Sequence, residues 1–142
     1  MKHMKKISIS LFSGAGGMDI GLSWAGFEIL VEIESDKHCC ATLRVNNERR
    51  KANTRVIEAD IRTIDPNNLM NEINLEQGKL DLLFGGPPCQ SFSQIGRQLG
   101  LRDERGLLLF EVIRFADALR PKAILVEQVK GLLSSKGSKK TI

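Results

Sequence analysis

Apolar and polar residues alternate along this chain with two different periods, and the changes of period mark its elements. Ile7-Ser8-Ile9-Ser10-Leu11-Phe12 alternates as a strand does and runs straight into Gly14, Gly16 and Gly17. Beyond them Met18, Leu22 and Ala25 recur at helical spacing, and Gly26 closes that helix. Phe27 to Ile33 is a second apolar stretch ending in acids, Asp36 to Asn46 a second helix, and Arg55-Val56-Ile57 a short strand ending near Asp60. Asp65-Pro66 reads as an N-cap followed by proline at the first helical position, opening a short helix through Leu69 and Ile73. Leu80 to Phe84 is a fourth strand, broken by Gly85-Gly86-Pro87-Pro88. After a long polar loop, Leu108, Val112, Phe115 and Leu119 lie on one helical face and Pro121 stops that helix. Ala123-Ile124-Leu125-Val126 is then almost wholly apolar, as in a parallel strand covered on both faces.

Strands alternating with helices in this order predict an α/β fold, a doubly wound and mostly parallel sheet with right-handed crossovers. In such sheets ligands bind beyond the carboxyl ends of the strands, at the switch point where the strand order reverses. The unusual residue clusters of this chain all fall at such ends. There is no internal repeat, and the only low-complexity tract is the Lys/Ser/Gly-rich stretch after Leu133.

Composition adds little to this picture and removes several alternatives. With 42% hydrophobic and 27% charged residues, a chain of 142 has enough apolar material for one buried core. No apolar run approaches the roughly 20 residues that cross a bilayer, and the basic start leads directly into a strand, so a cytoplasmic protein is expected. The net charge of +4 invites a nucleic-acid reading, but seven of the 21 Lys and Arg sit at the two ends. The remaining 14 face all 17 acids, so the folded body is slightly acidic, and charge alone does not predict DNA binding. Three cysteines without CxxC spacing, and only two histidines, argue against a zinc site or a disulfide framework.

Two loops carry candidate chemistry. In Phe12-Ser13-Gly14-Ala15-Gly16-Gly17 the missing side chains let a ligand lie against the backbone before a helix N-terminus, although a tight turn would need the same glycines. Asp19 occupies the sixth position of the dinucleotide fingerprint, where glycine is required, which disfavours a nicotinamide or flavin site. Acids follow the next two strands: Glu32 or Glu34 is suited to accept from a ribose diol, and Asp60 from an adenine amino group. The second loop, Gly85-Gly86-Pro87-Pro88-Cys89-Gln90-Ser91-Phe92-Ser93, holds one thiol in a stiff polar turn rather than in an apolar strand, the usual place of a packing cysteine. Glu127 ends the fifth strand. If strands four and five are neighbours, Cys89 and Glu127 face one substrate.

Together these segments resemble the DNA (cytosine-5) methyltransferases from Ile7 to Thr141. Phe12 to Gly17 is similar to that family's cofactor loop, Glu34-Ser35-Asp36 to its ribose-binding segment, and Asp60-Ile61 to its adenine contact. The proline-cysteine run is similar to its nucleophile motif, Arg102 to Glu111 to the hinge of its active-site loop, and Glu127-Gln128-Val129 to its acid motif. The resemblance implies an S-adenosylmethionine-dependent fold of Rossmann-like type. It implies cofactor contacts from Phe12, Ser13, Gly14, Gly16, Gly17, Glu34, Asp60, Ile61, Gly86 and Leu108, with Glu34 preferred over Glu32 because it keeps the family spacing to Asp36, Thr42 and Asn46. Cys89 and Glu127 become the catalytic pair acting on a cytosine flipped out of double-stranded DNA, and no metal is implied. Gln90, Ser91, Ser93, Arg97 and Arg105 are the implied DNA contacts.

Two departures follow from the same comparison. Gln128 stands where the family has asparagine, a longer arm able to loosen the support of the proline-cysteine loop. The family's target-recognition domain and the C-terminal part of its catalytic domain have no counterpart, so residues 1–142 are expected to be the N-terminal part of the cofactor-binding domain. On its own the chain is expected to be inactive, completed by a missing C-terminal half or a second subunit. A catalytically silent cofactor-binding module and a tRNA cytosine methyltransferase are the competing readings.

Overall fold

A computed structural model of the chain describes residues 5–88 and 108–128. The elements follow in the order β1 (Lys6–Leu11), α1 (Gly17–Trp24), β2 (Phe27–Glu34), α2 (Lys37–Arg50), β3 (Arg55–Glu58), a 3₁₀ turn (Ile61–Thr63), α3 (Pro66–Glu72), β4 (Leu82–Gly85), α4 (Leu108–Leu119) and β5 (Ala123–Val126). All described strand pairs are parallel, and the sheet order is β3-β2-β1-β4-β5. The chain winds outward from β1 to β3, then crosses back to β4 on the other side of β1, so the switch point lies between the ends of β1 and β4.

Local chemistry sets the helix starts. Asp65 accepts from the backbone N–H groups of Asn67 and Asn68 ahead of Pro66, as the sequence predicts. Asp36 caps α2 in the same way through His38 and Cys39 N–H. That helix outruns its expected end at Asn46 because Asn47 and Arg50, in its last turn, reach a buried partner on β2; Lys51 closes it in the left-handed region. The 3₁₀ turn was not expected, and it arises where the Asp60 carboxylate caps the Arg62 N–H.

The core lies on both faces of the sheet. On one face Ile9, Leu11, Val31, Ile33 and Leu83 pack with Leu69 and Met70 of α3 and with Val112, Phe115 and Leu119 of α4. On the other, Ile29, Leu82 and Phe84 pack with Met18 and Leu22 of α1. Phe84 and Phe115 are fully buried, each contributing about 1.5–3 kcal/mol of burial free energy.

A register shift separates the two faces along β2. Ser8 pairs with Ile29 but Ile9 with Val31, leaving Leu30 as an extra residue. Ile29 therefore joins the α1 face while Val31 and Ile33 join the opposite one, and Glu32, paired with Ser10, returns to the α1 side. The fifth strand departs from expectation. Although apolar throughout, it is the sheet edge among the described residues, and Ile124 and Leu125 stay 51% and 44% exposed. An edge strand with an uncovered face cannot bury both rows of side chains.

Candidate active site

The carboxyl ends of β1, β2, β3 and β4 converge on one cleft of about 270 Å³. Phe12 and Gly14 follow β1, Glu34 ends β2 with Ile33 before it and Ser35 after, and Ala59, Asp60 and Ile61 follow β3. Gly86 and Pro88 follow β4, and Leu108 opens α4. Seven of the ten predicted cofactor residues thus line a single space: Phe12, Gly14, Glu34, Asp60, Ile61, Gly86 and Leu108.

Ser13, Gly16 and Gly17 do not line it. Ser13 is buried behind the loop, its Oγ 2.8 Å from Ser10 Oγ and its N–H donating to the Ile33 carbonyl at 3.1 Å. Gly16 has φ 88°, a left-handed backbone conformation that favours glycine, and a Cβ there would lie 2.7 Å from Leu43 Cδ2, which would have to shift. Gly17 simply begins α1.

Of the two acids left open for a ribose, the cleft receives Glu34. Its Oε2 accepts from Gly14 N–H at 2.8 Å and its Oε1 from the N–H groups of Ser35 and Asp36 at 2.8 and 2.9 Å. The carboxylate is therefore aimed by backbone donors. Glu32 lies two residues deeper in β2, fully buried and bonded to Asn47. Asp60 is held below the usual carboxylate range, chiefly by the Arg62 side chain, whose Nη2 stands 2.6 Å from its Oδ2. It stays an ionised acceptor.

The right-hand wall depends on close approaches. Leu11 pairs with Gly85 and Gly85 with Val126; a Cβ on Gly85 would lie 2.2 Å from the Leu11 carbonyl oxygen, a distance no side chain permits. Glu127 N–H donates to Gly85 O at 3.0 Å, and a Cβ on Gly86 would lie 3.1 Å from Glu127 Oε2. Strands four and five are neighbours, as the catalytic pairing requires, and the Glu127 carboxylate leans over the start of the proline turn. Gln128 Nε2 donates to the Pro87 carbonyl at 2.8 Å, so the longer amide still ties β5 to that turn, contrary to the looser support expected from its length. Cys89, Gln90, Ser91, Ser93, Arg97 and Arg105 lie outside the described residues. Pro88, directly before Cys89 in the chain, lines the cleft.

The other two cysteines are poor nucleophiles. Burial pushes both thiols up, and the Cys40 Sγ donates to Glu34 O at 3.4 Å.

The profile of the C-5 cytosine-specific DNA methylases matches residues 7–142. The chain belongs to that family. Among curated members it is 46% identical over 135 residues to the Type II methyltransferase M.AquIA of Picosynechococcus sp., covering 94% of this chain and 53% of the relative. It is 46% identical over 131 residues to M.PspPI of Psychrobacter sp., covering 92% of this chain and 29% of that one. This C-5 cytosine methylase chain therefore spans from about half to less than a third of the length of the two relatives. Among solved structures, a prophage-encoded E. coli protein described as a DNA modification methyltransferase superposes with a TM-score of 0.76 at 28% identity, covering 96% of this chain and 36% of that one. The Pyrococcus abyssi tRNA (uracil-54, C5)-methyltransferase, solved with S-adenosyl-L-homocysteine, superposes at 0.57 with 18% identity over 96% of this chain and 28% of its own. At that identity the likeness is one of fold.

Of the other cleft residues, Ile33 and Ala59 went unread as site residues, while Ser35 and Pro88 were read only as parts of the ribose-binding segment and the proline turn. Each adjoins a residue that was singled out, so the signal available was position at a strand end rather than chemistry.

Proposed function

We propose that the chain is the N-terminal part of a catalytic domain that transfers a methyl group from S-adenosylmethionine to C5 of cytosine in double-stranded DNA. One observation carries the reading: β4 and β5 lie side by side, so the turn leading into Cys89 and the Glu127 carboxylate leave the sheet together, beside an acid-bearing cleft.

The cleft's donor set fits the cofactor. Glu34 retains free lone pairs for a ribose diol, Asp60 accepts from an adenine amino group, and Phe12, Ile61 and Leu108 offer apolar walls. The bound cofactor supplies an electrophilic methyl sulfonium. The Cys89 thiolate adds to C6 of the flipped cytosine while Glu127 hydrogen-bonds at N3, which makes C5 electron-rich enough to take the methyl group. Loss of the C5 proton and departure of the Cys89 sulfur restore the ring. Gln90, Ser91, Ser93, Arg97 and Arg105 hold the DNA around the flipped base. The rest of the catalytic domain and the target-recognition segment come from a further stretch of chain or a second subunit, in the cytoplasm. No helix among the described residues is long and apolar enough to cross a membrane.

Trapping tests this reading. With the C-terminal half of a relative supplied and S-adenosylmethionine present, a 5-fluorocytosine DNA duplex is expected to form a covalent adduct that a Cys89→Ser chain does not form. A parallel tRNA substrate should give none. Absence of an adduct with DNA, while S-adenosylhomocysteine still binds, would instead favour a cofactor-binding module without chemistry.

A further inference from the structure

Beneath the glycine loop lie two carboxyl groups that the methyl-transfer reading does not use. Asp19 in the first turn of α1 is 1% exposed and Glu32 in β2 is fully buried, and the two side chains face each other. As ionised groups both are acceptors only, and neither oxygen of Asp19 has a hydrogen-bond partner in the structure; Glu32 Oε1 has none either. Glu32 Oε2 is served by Asn47 Nδ2 at 2.6 Å. The groups around them are few: the neutral Ser10 hydroxyl from β1, and from α2 one cation, Arg50, whose Nη2 is 3.9 Å from Glu32 Oε1 and 2.6 Å from Asn47 Oδ1. With both acids ionised, the cluster carries a net negative charge in an interior that stabilises charge poorly. With one proton held between them the cluster is neutral, and one Asp19 oxygen and Glu32 Oε1 are joined through that proton.

We infer that Asp19 and Glu32 share a single proton in the folded protein, and that this proton is the strut that positions the glycine loop against β2. The geometry gives the strut its consequence. Asp19 lies just after the loop that presents Gly14 N–H, and Glu32 lies two residues before Glu34, the acceptor of that N–H. When the proton leaves, two like charges push the first turn of α1 away from β2 directly under the cleft. Desolvation, the largest cause, raises Glu32 to about 7, so the strut is lost near neutrality.

The sign follows from linkage. The folded state keeps a proton that the unfolded chain releases, so the stabilisation is complete below the ordinary glutamate value and is lost as pH rises toward about 7. The test is the pH dependence of urea unfolding of the full chain, compared with Glu32→Gln and Asp19→Asn. Glutamine at 32 keeps an acceptor for Asn47 and turns a permanent donor toward Asp19. Between about pH 5 and about pH 7 the wild-type unfolding constant is expected to rise by close to tenfold per unit, while both variants stay nearly flat and exceed wild type in stability at about pH 8. Parallel profiles in the three proteins would overturn the inference, since they would mean that both acids are ionised and bridged by water. So would variants less stable than wild type throughout the range.

The functional arm rests on the proposed cofactor site. The Kd for S-adenosylhomocysteine is expected to rise above about pH 7 by up to tenfold per unit in the wild type and to stay level in Glu32→Gln. A shared pH slope of binding would remove the positioning role. Unfolding profiles as expected, with no binding at any pH, would leave the proton in place and overturn the cofactor reading.

Discussion

The two sides of the sheet differ in how completely they enclose themselves. Around β1 and β2 the strand residues from Ile29 to Ile33 that face the core are 0–4% exposed, polar groups cap backbone donors, and helices cover both faces. Around β5 the same kind of sequence stays open: Phe110 and Ile113 of α4 and Ile124 and Leu125 of β5 are all between 44% and 51% exposed. The side bearing the cleft contains its own architecture, whereas the side bearing Glu127 presents apolar surface of the kind that marks an interaction face. Under the proposed function this contrast divides the work: the donor cleft is built locally, and the substrate side is shared with further structure.

Substitutions can break that contrast, and the largest effect falls on the seam between the two sides. Gly85→Ala drives a side-chain Cβ into the backbone carbonyl of Leu11, which cannot swing aside within the paired strands, and is expected to cost more than about 3 kcal/mol in urea unfolding. Leu11→Ala, on the enclosed side, should lose about 2–5 kcal/mol by the same measurement, because a fully buried side chain leaves a cavity. Glu34→Gln weakens an acceptor held by three backbone donors, and titration with S-adenosylhomocysteine should show affinity reduced by about 1.5–3 kcal/mol. Gln128→Ala removes the tie to the Pro87 carbonyl and should cost about 1 kcal/mol, while Gln128→Asn tests whether the shorter amide still reaches. Smallest of all, Leu125→Ser on the open side should change stability by no more than about 0.5 kcal/mol while improving solubility. A loss as large as that of Leu11→Ala would show that β5 is covered after all.

The elements were legible because each obeys a local rule: period two in β1, helical spacing in α4, and Asp65-Pro66 at a helix start. Asp60 and the pair Glu32/Glu34 could be read as cleft residues because strand ends in a parallel sheet converge, whereas the choice of Glu34 and the inclusion of Gly86 came from the family resemblance. What escaped depends on partners distant in sequence. Asn47 and Arg50 extend α2 only because Glu32 waits on β2, fifteen residues before Asn47. The exposure of β5 escaped for the opposite reason, since four apolar residues do not say whether a neighbour is present to cover them. Asp19 was read only as a missing glycine, and nothing local announces that it meets another acid.

Leu30 gives the second strand something like a frameshift. Upstream of it, odd-numbered positions address one helix layer, and downstream they address the other. Keeping that leucine while ironing out the bulge would make the strand more regular to the eye, yet it would deliver Glu32 into the oily layer beneath α3 and α4 while turning Val31 and Ile33 toward Asp19. Any transplant of this segment into another scaffold must carry the irregularity with it.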